Sequence, residues 1–271
     1  MAAPGRNVNS SVTAAQRRRD PVRRFRFAVA VAELAGVCLV VGAVSAGASA
    51  IVKTIPVGSN PQGVSSDGTH VWVANDGSDT VSEIAASTGT VVNTITLSTS
   101  VPSLNNPWAV SSDGTDVWVL NETDLPVNHT QEFGGSVIEI DAASGTVVKT
   151  IPVGDEPTDI SSDGTHVWAT SAPRTPKGAW ARGTVSEIDA STGTVVKTIK
   201  AGGAPFYVSS DGTHVWVTHY RSGTVSEIDA ASGTVVKTIK VGKEPGKVSS
   251  DGTHVWVLTE TTKDVVIEIL I

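Results

Sequence analysis

Cysteine is almost absent from this chain: its 271 residues include one, Cys38. Residues 51–271 therefore form no disulfide and no thiolate metal centre, and their stability must come from burial and strand pairing. Helical periodicity is missing too. Beyond residue 50 no stretch repeats apolar residues at spacings of three and four over several turns. Basic charge is scarce in the same region, with 13 Lys and Arg against 25 Asp and Glu, a net charge near −12. That balance argues against nucleic acid or anionic lipid as a partner, and solubility is its simplest meaning. No nucleophile elbow, metal motif or phosphate-cradling loop is present, and no cofactor or bound metal is expected.

The first 50 residues are of another kind. Seven arginines, from Arg6 to Arg26, precede an apolar run over 27–50 that ends in Ala48-Ser49-Ala50. A basic flank, an apolar stretch and a small-x-small ending read as an export signal, with a mature start at Ile51. The alternative is an uncleaved membrane anchor. Either way the remainder is expected outside the cytoplasm, secreted or in the cell envelope. The expected organisation is a 1–50 basic and apolar leader followed by a 51–271 domain.

What fills that domain is repetition. Ser-Ser-Asp-Gly-Thr-His-Val-Trp begins at Ser65, Ser161, Ser209 and Ser249, and at Ser111 with Asp116 replacing the histidine. The anchoring Asp67, Asp113, Asp163, Asp211 and Asp251 are spaced 46, 50, 48 and 40 apart. Each unit reads as four short β-branched strands: one entered through a proline, His-Val-Trp-Val, Thr-Val-Ser-Glu-Ile, and Thr-Val-Val-Lys-Thr-Ile. Asp-Gly turns join the first two and Ser-Gly or Thr-Gly turns the last two. Four antiparallel strands in 40 to 50 residues make the blade of a β-propeller, so the fold class is all-β, with five blades.

The two ends complement each other. Residues 51–57 resemble a fourth strand without its first three, and 265–271 a third strand without its fourth. Joining them would complete the last blade and remove two open edges. The expectation is a monomeric five-bladed propeller closed by strand 51–57.

The unit resembles the YVTN-type β-propeller repeat. The matching runs are Ser66-Asp67-Gly68 to Asn75, Asp79-Thr80-Val81-Ser82-Glu83-Ile84, and 146–154. Tryptophan stands for the family's tyrosine in the second strand, and glutamate for valine in the third. The resemblance covers the whole of 51–271 and implies a propeller, while saying little of function, since the family includes secreted and surface proteins. A more distant similarity is to the virginiamycin B lyase type of propeller, but its metal-binding His and Glu positions do not map onto this chain.

Whatever recurs five times is scaffold. Trp72, Trp118, Trp168, Trp216 and Trp256 read as packing between blades. The repeat histidines belong to separate blades, which argues against a metal site. Glu83, Glu139, Glu187, Glu227 and Glu268 are expected to pair with fourth-strand lysines. Departures from the repeat gather in two kinds of loop that open on one face, at 98–106, 122–135 and 172–183. Length and variation on one rim of a rigid scaffold mark a place for binding. Non-repeat aromatics and charges fall there: Trp108, Glu122, Trp180, Arg182, Phe206, Tyr207, His219, Tyr220 and Arg221. Such a set suits a glycan, peptide or protein partner. A second reading is an enzyme of lyase or hydrolase type, with His219 as base and Arg221 or Arg182 steadying an anion. A third is a purely structural surface repeat protein.

Overall fold

A computed structural model describes residues 51–97, 106–122, 135–175, 179–259 and 265–271. Ile51–Ile271 forms one compact unit. It is a five-bladed β-propeller of antiparallel sheets, each built from consecutive strands. The first sheet holds β1 (Pro61–Ser66), β2 (His70–Asn75), β3 (Thr80–Ala85) and β4 (Thr90–Thr96). The second holds β5 (Asn106–Ser112), β6 (Asp116–Glu122), β7 (Ser136–Asp141) and β8 (Thr146–Pro152). The third holds β9 (Pro157–Ser162), β10 (His166–Ser171), β11 (Arg182–Asp189) and β12 (Thr194–Gly203). The fourth holds β13 (Pro205–Ser210), β14 (His214–His219), β15 (Thr224–Asp229) and β16 (Thr234–Lys240). The fifth holds β17 (Pro245–Ser250), β18 (His254–Thr259) and β19 (Val265–Leu270). Among the described residues the one helical element is a 3-10 turn, Asp76–Ser78.

The repeated aspartate explains why the motif is so constant. Gly68 takes a φ of 91°, which the turn needs and an L side chain resists. Asp67 Oδ1 then accepts the backbone N–H groups of Thr69 and His70, both at 2.8 Å. Its Oδ2 accepts Trp72 Nε1 at 3.0 Å and, from the next blade, Ser112 Oγ at 3.2 Å. One carboxylate thus closes a turn, orients a tryptophan and joins two blades. Burial pushes this carboxyl up, but the bonds from Thr69, Trp72 and His70 outweigh it and hold it well below the usual range.

The same joint recurs at the next three seams. Ser162, Ser210 and Ser250 bond to Asp113, Asp163 and Asp211. Beside each, the backbone N–H of that serine also reaches the Oγ of Ser111, Ser161 or Ser209. Trp72, Trp118, Trp168 and Trp216 are at most 1% exposed, and apolar clusters spanning neighbouring blades enclose them.

The seam between the fifth and first sheets differs. Trp256 is 40% exposed, and Val64 on β1 is 69% exposed. Among the described residues no hydrogen bond joins Asp251 or Ser249 to the first sheet. The fifth sheet has three strands. Residues 51–57 do not pair with β19 as expected; they lie against the first sheet, where a preceding blade's fourth strand belongs. Lys53 Nζ donates to the Thr88 carbonyl at 3.0 Å, as Lys149 does to Thr192 at 2.9 Å and Lys197 to Ser232. The latch is therefore seated on its receiving blade, while among the described residues no strand pairs with the outer edge of β19.

One packing expectation needs correction. The register does set Glu139 opposite Lys149, Glu187 opposite Lys197 and Glu227 opposite Lys237. Yet Lys149 and Lys197 turn to the next blade's carbonyls, and the glutamates face the repeat histidines. His70–Glu83 is 3.4 Å, His166–Glu187 and His214–Glu227 are 3.8 Å, and His254–Glu268 is 3.6 Å. In the second blade Asp116 replaces the histidine. There burial, and then the charge of Asp116, pushes the Glu139 carboxyl up.

Candidate functional site

Because the repeat fixes most side chains, function belongs where the copies differ. The first strands differ at the two residues after the proline. The nearer position holds Gln62, Trp108, Thr158, Phe206 and Gly246, and the farther one Gly63, Ala109, Asp159, Tyr207 and Lys247. Lys247 Nζ lies 3.3 Å from Asp159 Oδ1, although the fourth sheet stands between their own sheets in chain order. Such an approach is possible where first strands converge. Lys247 also lies 4.9 Å from the centre of the Tyr207 ring, and Asp159 Oδ2 accepts the Val208 N–H at 3.2 Å. Burial pushes the Asp159 carboxyl up, against the pull of Lys247 and the Val208 N–H. These three side chains satisfy one another, so the arrangement ties blades together. Tyr207, expected among the ligand-binding residues, takes part in it. Asp159 and Lys247 were not singled out from the sequence, although aligning the first strands position by position marks them as charges where the other blades have Gly63, Ala109 and Tyr207.

A second grouping is open to solvent. The third blade extends its outer hairpin past the length of the others: β12 has ten residues, and Gly183 pairs with Gly202 and Arg182 with Gly203. A Cβ on Gly183 would collide with the Ser171 carbonyl oxygen, and Gly202 has φ of 102°, so these glycines permit the extension. Beyond it, Arg174 and Trp180 form an antiparallel bridge. The Arg174 guanidinium lies 4.1 Å from the Trp180 ring centre and pairs with Glu156 at 3.5 Å. Trp180 meets Phe206 edge-on at 4.8 Å, and Phe206 lies 5.4 Å from Tyr220. Arg221 Nη1 donates to the Trp180 carbonyl at 2.8 Å. A cavity of about 490 Å³ opens here, lined by Trp180, Ala181, Arg182, Gly203, Arg221 and Ser222.

The structure thus brings together Trp180, Arg182, Phe206, Tyr220 and Arg221 at the edge between the third and fourth blades. Trp108 stands elsewhere, 45% exposed on β5, and Glu122 ends β6 on the second blade. Phe133 and His129 of the second-blade insertion, Lys177, Glu260 and Lys263 lie outside the described residues.

His219 is a correction. It is the last residue of β14, not a loop residue, and is 2% exposed. Its Nε2 hydrogen-bonds Ser226 Oγ at 2.8 Å, and burial pushes its pKa down to about 4. The equivalent positions hold Asn75, Asn121, Ser171 and Thr259, all buried. Asn75 shows the role: its Nδ2 donates to the Val73 carbonyl, Thr80 Oγ1 and Ser82 Oγ. The position is a polar peg inside each blade, and a side chain so enclosed is no base for a substrate on the rim. Among the described residues no group of three His, Cys, Asp or Glu is arranged to hold a metal ion. Nor among them is any helix long and apolar enough to cross a membrane.

No protein-family model matches the chain, and neither does any curated protein sequence. Solved structures do match, and they are β-propeller proteins. Hydrazine synthase of Kuenenia stuttgartiensis has a TM-score of 0.57 at 18% identity, over 83% of this chain and 70% of that one. A nidogen/laminin complex gives 0.57 at 13% identity, over 78% and 75%. BamB from Moraxella catarrhalis gives 0.55 at 12% identity, over 83% of this chain and 62% of its own. At such identities the likeness concerns the fold.

Proposed function

We propose that this protein is an exported β-propeller binding scaffold that engages a glycan, peptide or protein through its variable rim. The observation that carries the reading is the Trp180–Phe206–Tyr220 cluster with Arg182 and Arg221 around an open cavity. Aromatic faces supply contact area at low conformational cost, and guanidinium groups supply directed hydrogen bonds. The four closed seams hold this group on a stiff frame, which suits recognition. The export signal read in residues 1–50, together with a repeat that resembles the YVTN type, supports a location outside the cytoplasm. One of the similar solved structures is a nidogen/laminin complex, a case of the fold taking part in association between proteins.

The test is thermal melting of the protein against cell-surface glycans and peptides. A ligand that binds the native state raises the melting temperature. The expected result is a shift with at least one compound that Trp180→Ala and Tyr220→Ala each abolish. A shift untouched by both substitutions would move the site off this rim.

A further inference from the structure

We infer that the rim cavity takes an acidic saccharide, a sugar ring bearing a carboxylate, with Arg182 and Arg221 as the carboxylate-binding pair; this rests on the binding reading above. Charge is the first ground. The propeller is acidic, near −12, yet the cavity lining contains two arginines and no Asp or Glu. The nearby acid, Glu156, is engaged by Arg174 at 3.5 Å. Arg182 has no ion-pair partner among the described residues. Arg221 gives one N–H to the Trp180 carbonyl, which fixes its planar fork and leaves its other donors for a ligand. In an acidic molecule, uncompensated guanidinium groups at one open cavity focus anions there.

Shape is the second ground. Gly202 and Gly203 present bare backbone, and a Cβ on either would meet nothing within 4 Å. A ring can therefore lie against the main chain. Trp180, held by Arg174 and by Phe206, supplies the rigid aromatic wall for the C–H face of a pyranose. The Ser222 hydroxyl, which also meets Thr224 Oγ1 at 2.7 Å, and exposed backbone groups can answer sugar hydroxyls. A volume of about 490 Å³ suits one or two sugar residues.

The test is calorimetric titration of the full chain with oligogalacturonate, with neutral galactan oligomers of equal length, and with a peptide ending in a free carboxylate. Oligogalacturonate should bind more tightly than the neutral oligomer and weaken as salt rises. Arg182→Gln and Arg221→Gln should each weaken it by about tenfold, in line with loss of a charge-assisted hydrogen bond. Arg221→Lys, which keeps the charge without the fork, should weaken it too. Both arginines are exposed, so melting of the variants checks that the fold is intact. Equal affinity for neutral and acidic oligomers, lost in Trp180→Ala but not in the arginine variants, would overturn the acidic reading and leave the rim site standing. Binding of the peptide alone would overturn the saccharide assignment. Absence of binding by all three would overturn this inference, while the wider panel still decides on the rim.

Discussion

His219 shows how a single residue misleads. In the sequence it stands outside the repeat, beside Tyr220 and Arg221, and has the look of a rim base. In the structure it is the fourth blade's version of a buried polar peg that two other blades make from asparagine. The hint was present, since Asn75 and Asn121 occupy the same repeat position, but burial is not visible in a residue's name. The environment has a measurable consequence. The folded pKa is pushed to about 4 by burial, against an ordinary 6.5. Between those values the unfolded chain binds the extra proton, so stability rises with pH there. The contribution is complete above about 6.5 and is lost as pH falls toward about 4. His219→Asn should fold, because asparagine suits this position elsewhere, and should flatten the dependence of melting temperature on pH across that window. An unchanged slope would place the imidazole in contact with water.

At the scale of elements, the fold was readable because each blade repeats its own instructions. Asp-Gly turns, proline starts and β-branched runs give strand positions directly, and the four-strand unit follows from counting them. Pairing partners were less readable. Glu and Lys do stand opposite each other on β7–β8, β11–β12 and β15–β16, but Lys149 and Lys197 are long enough to leave for the neighbouring blade, and the shorter imidazoles of His166 and His214 stand beside Glu187 and Glu227. The seams yield a graded expectation. Trp168 is fully enclosed, so Trp168→Ala should cost about 3–5 kcal/mol. Trp256 is 40% exposed with its seam unfilled, so Trp256→Ala should cost less than half of that in chemical denaturation. Equal costs would mean that the fifth sheet is covered as the others are.

At the scale of the whole molecule, the sequence shows five blades and two matching ends, and the structure gives each end a place. Residues 51–57 sit on the first blade as a fourth strand does, with Lys53 reaching Thr88, while among the described residues β19 pairs with β18 alone. Complementarity of pattern can say which strands match, but not how far four packed seams turn the first blade toward the last. The site was legible in outline for a similar reason. Departures from a repeat stand out, and Trp180, Arg182, Phe206, Tyr220 and Arg221 do gather. That Trp108 and Glu122 belong to another blade's edge, and that Tyr207 joins Asp159 and Lys247, depends on which way each strand residue faces.

The most direct measurement for the rim is amide hydrogen exchange, with and without the panel compound giving the largest melting shift. Protection should rise over 179–183, 200–207 and 219–222, and stay level in the Ser-Asp-Gly-Thr turns of the opposite face. Protection confined to those turns, or unchanged throughout, would contradict a binding site built from Trp180, Phe206, Tyr220 and the two arginines.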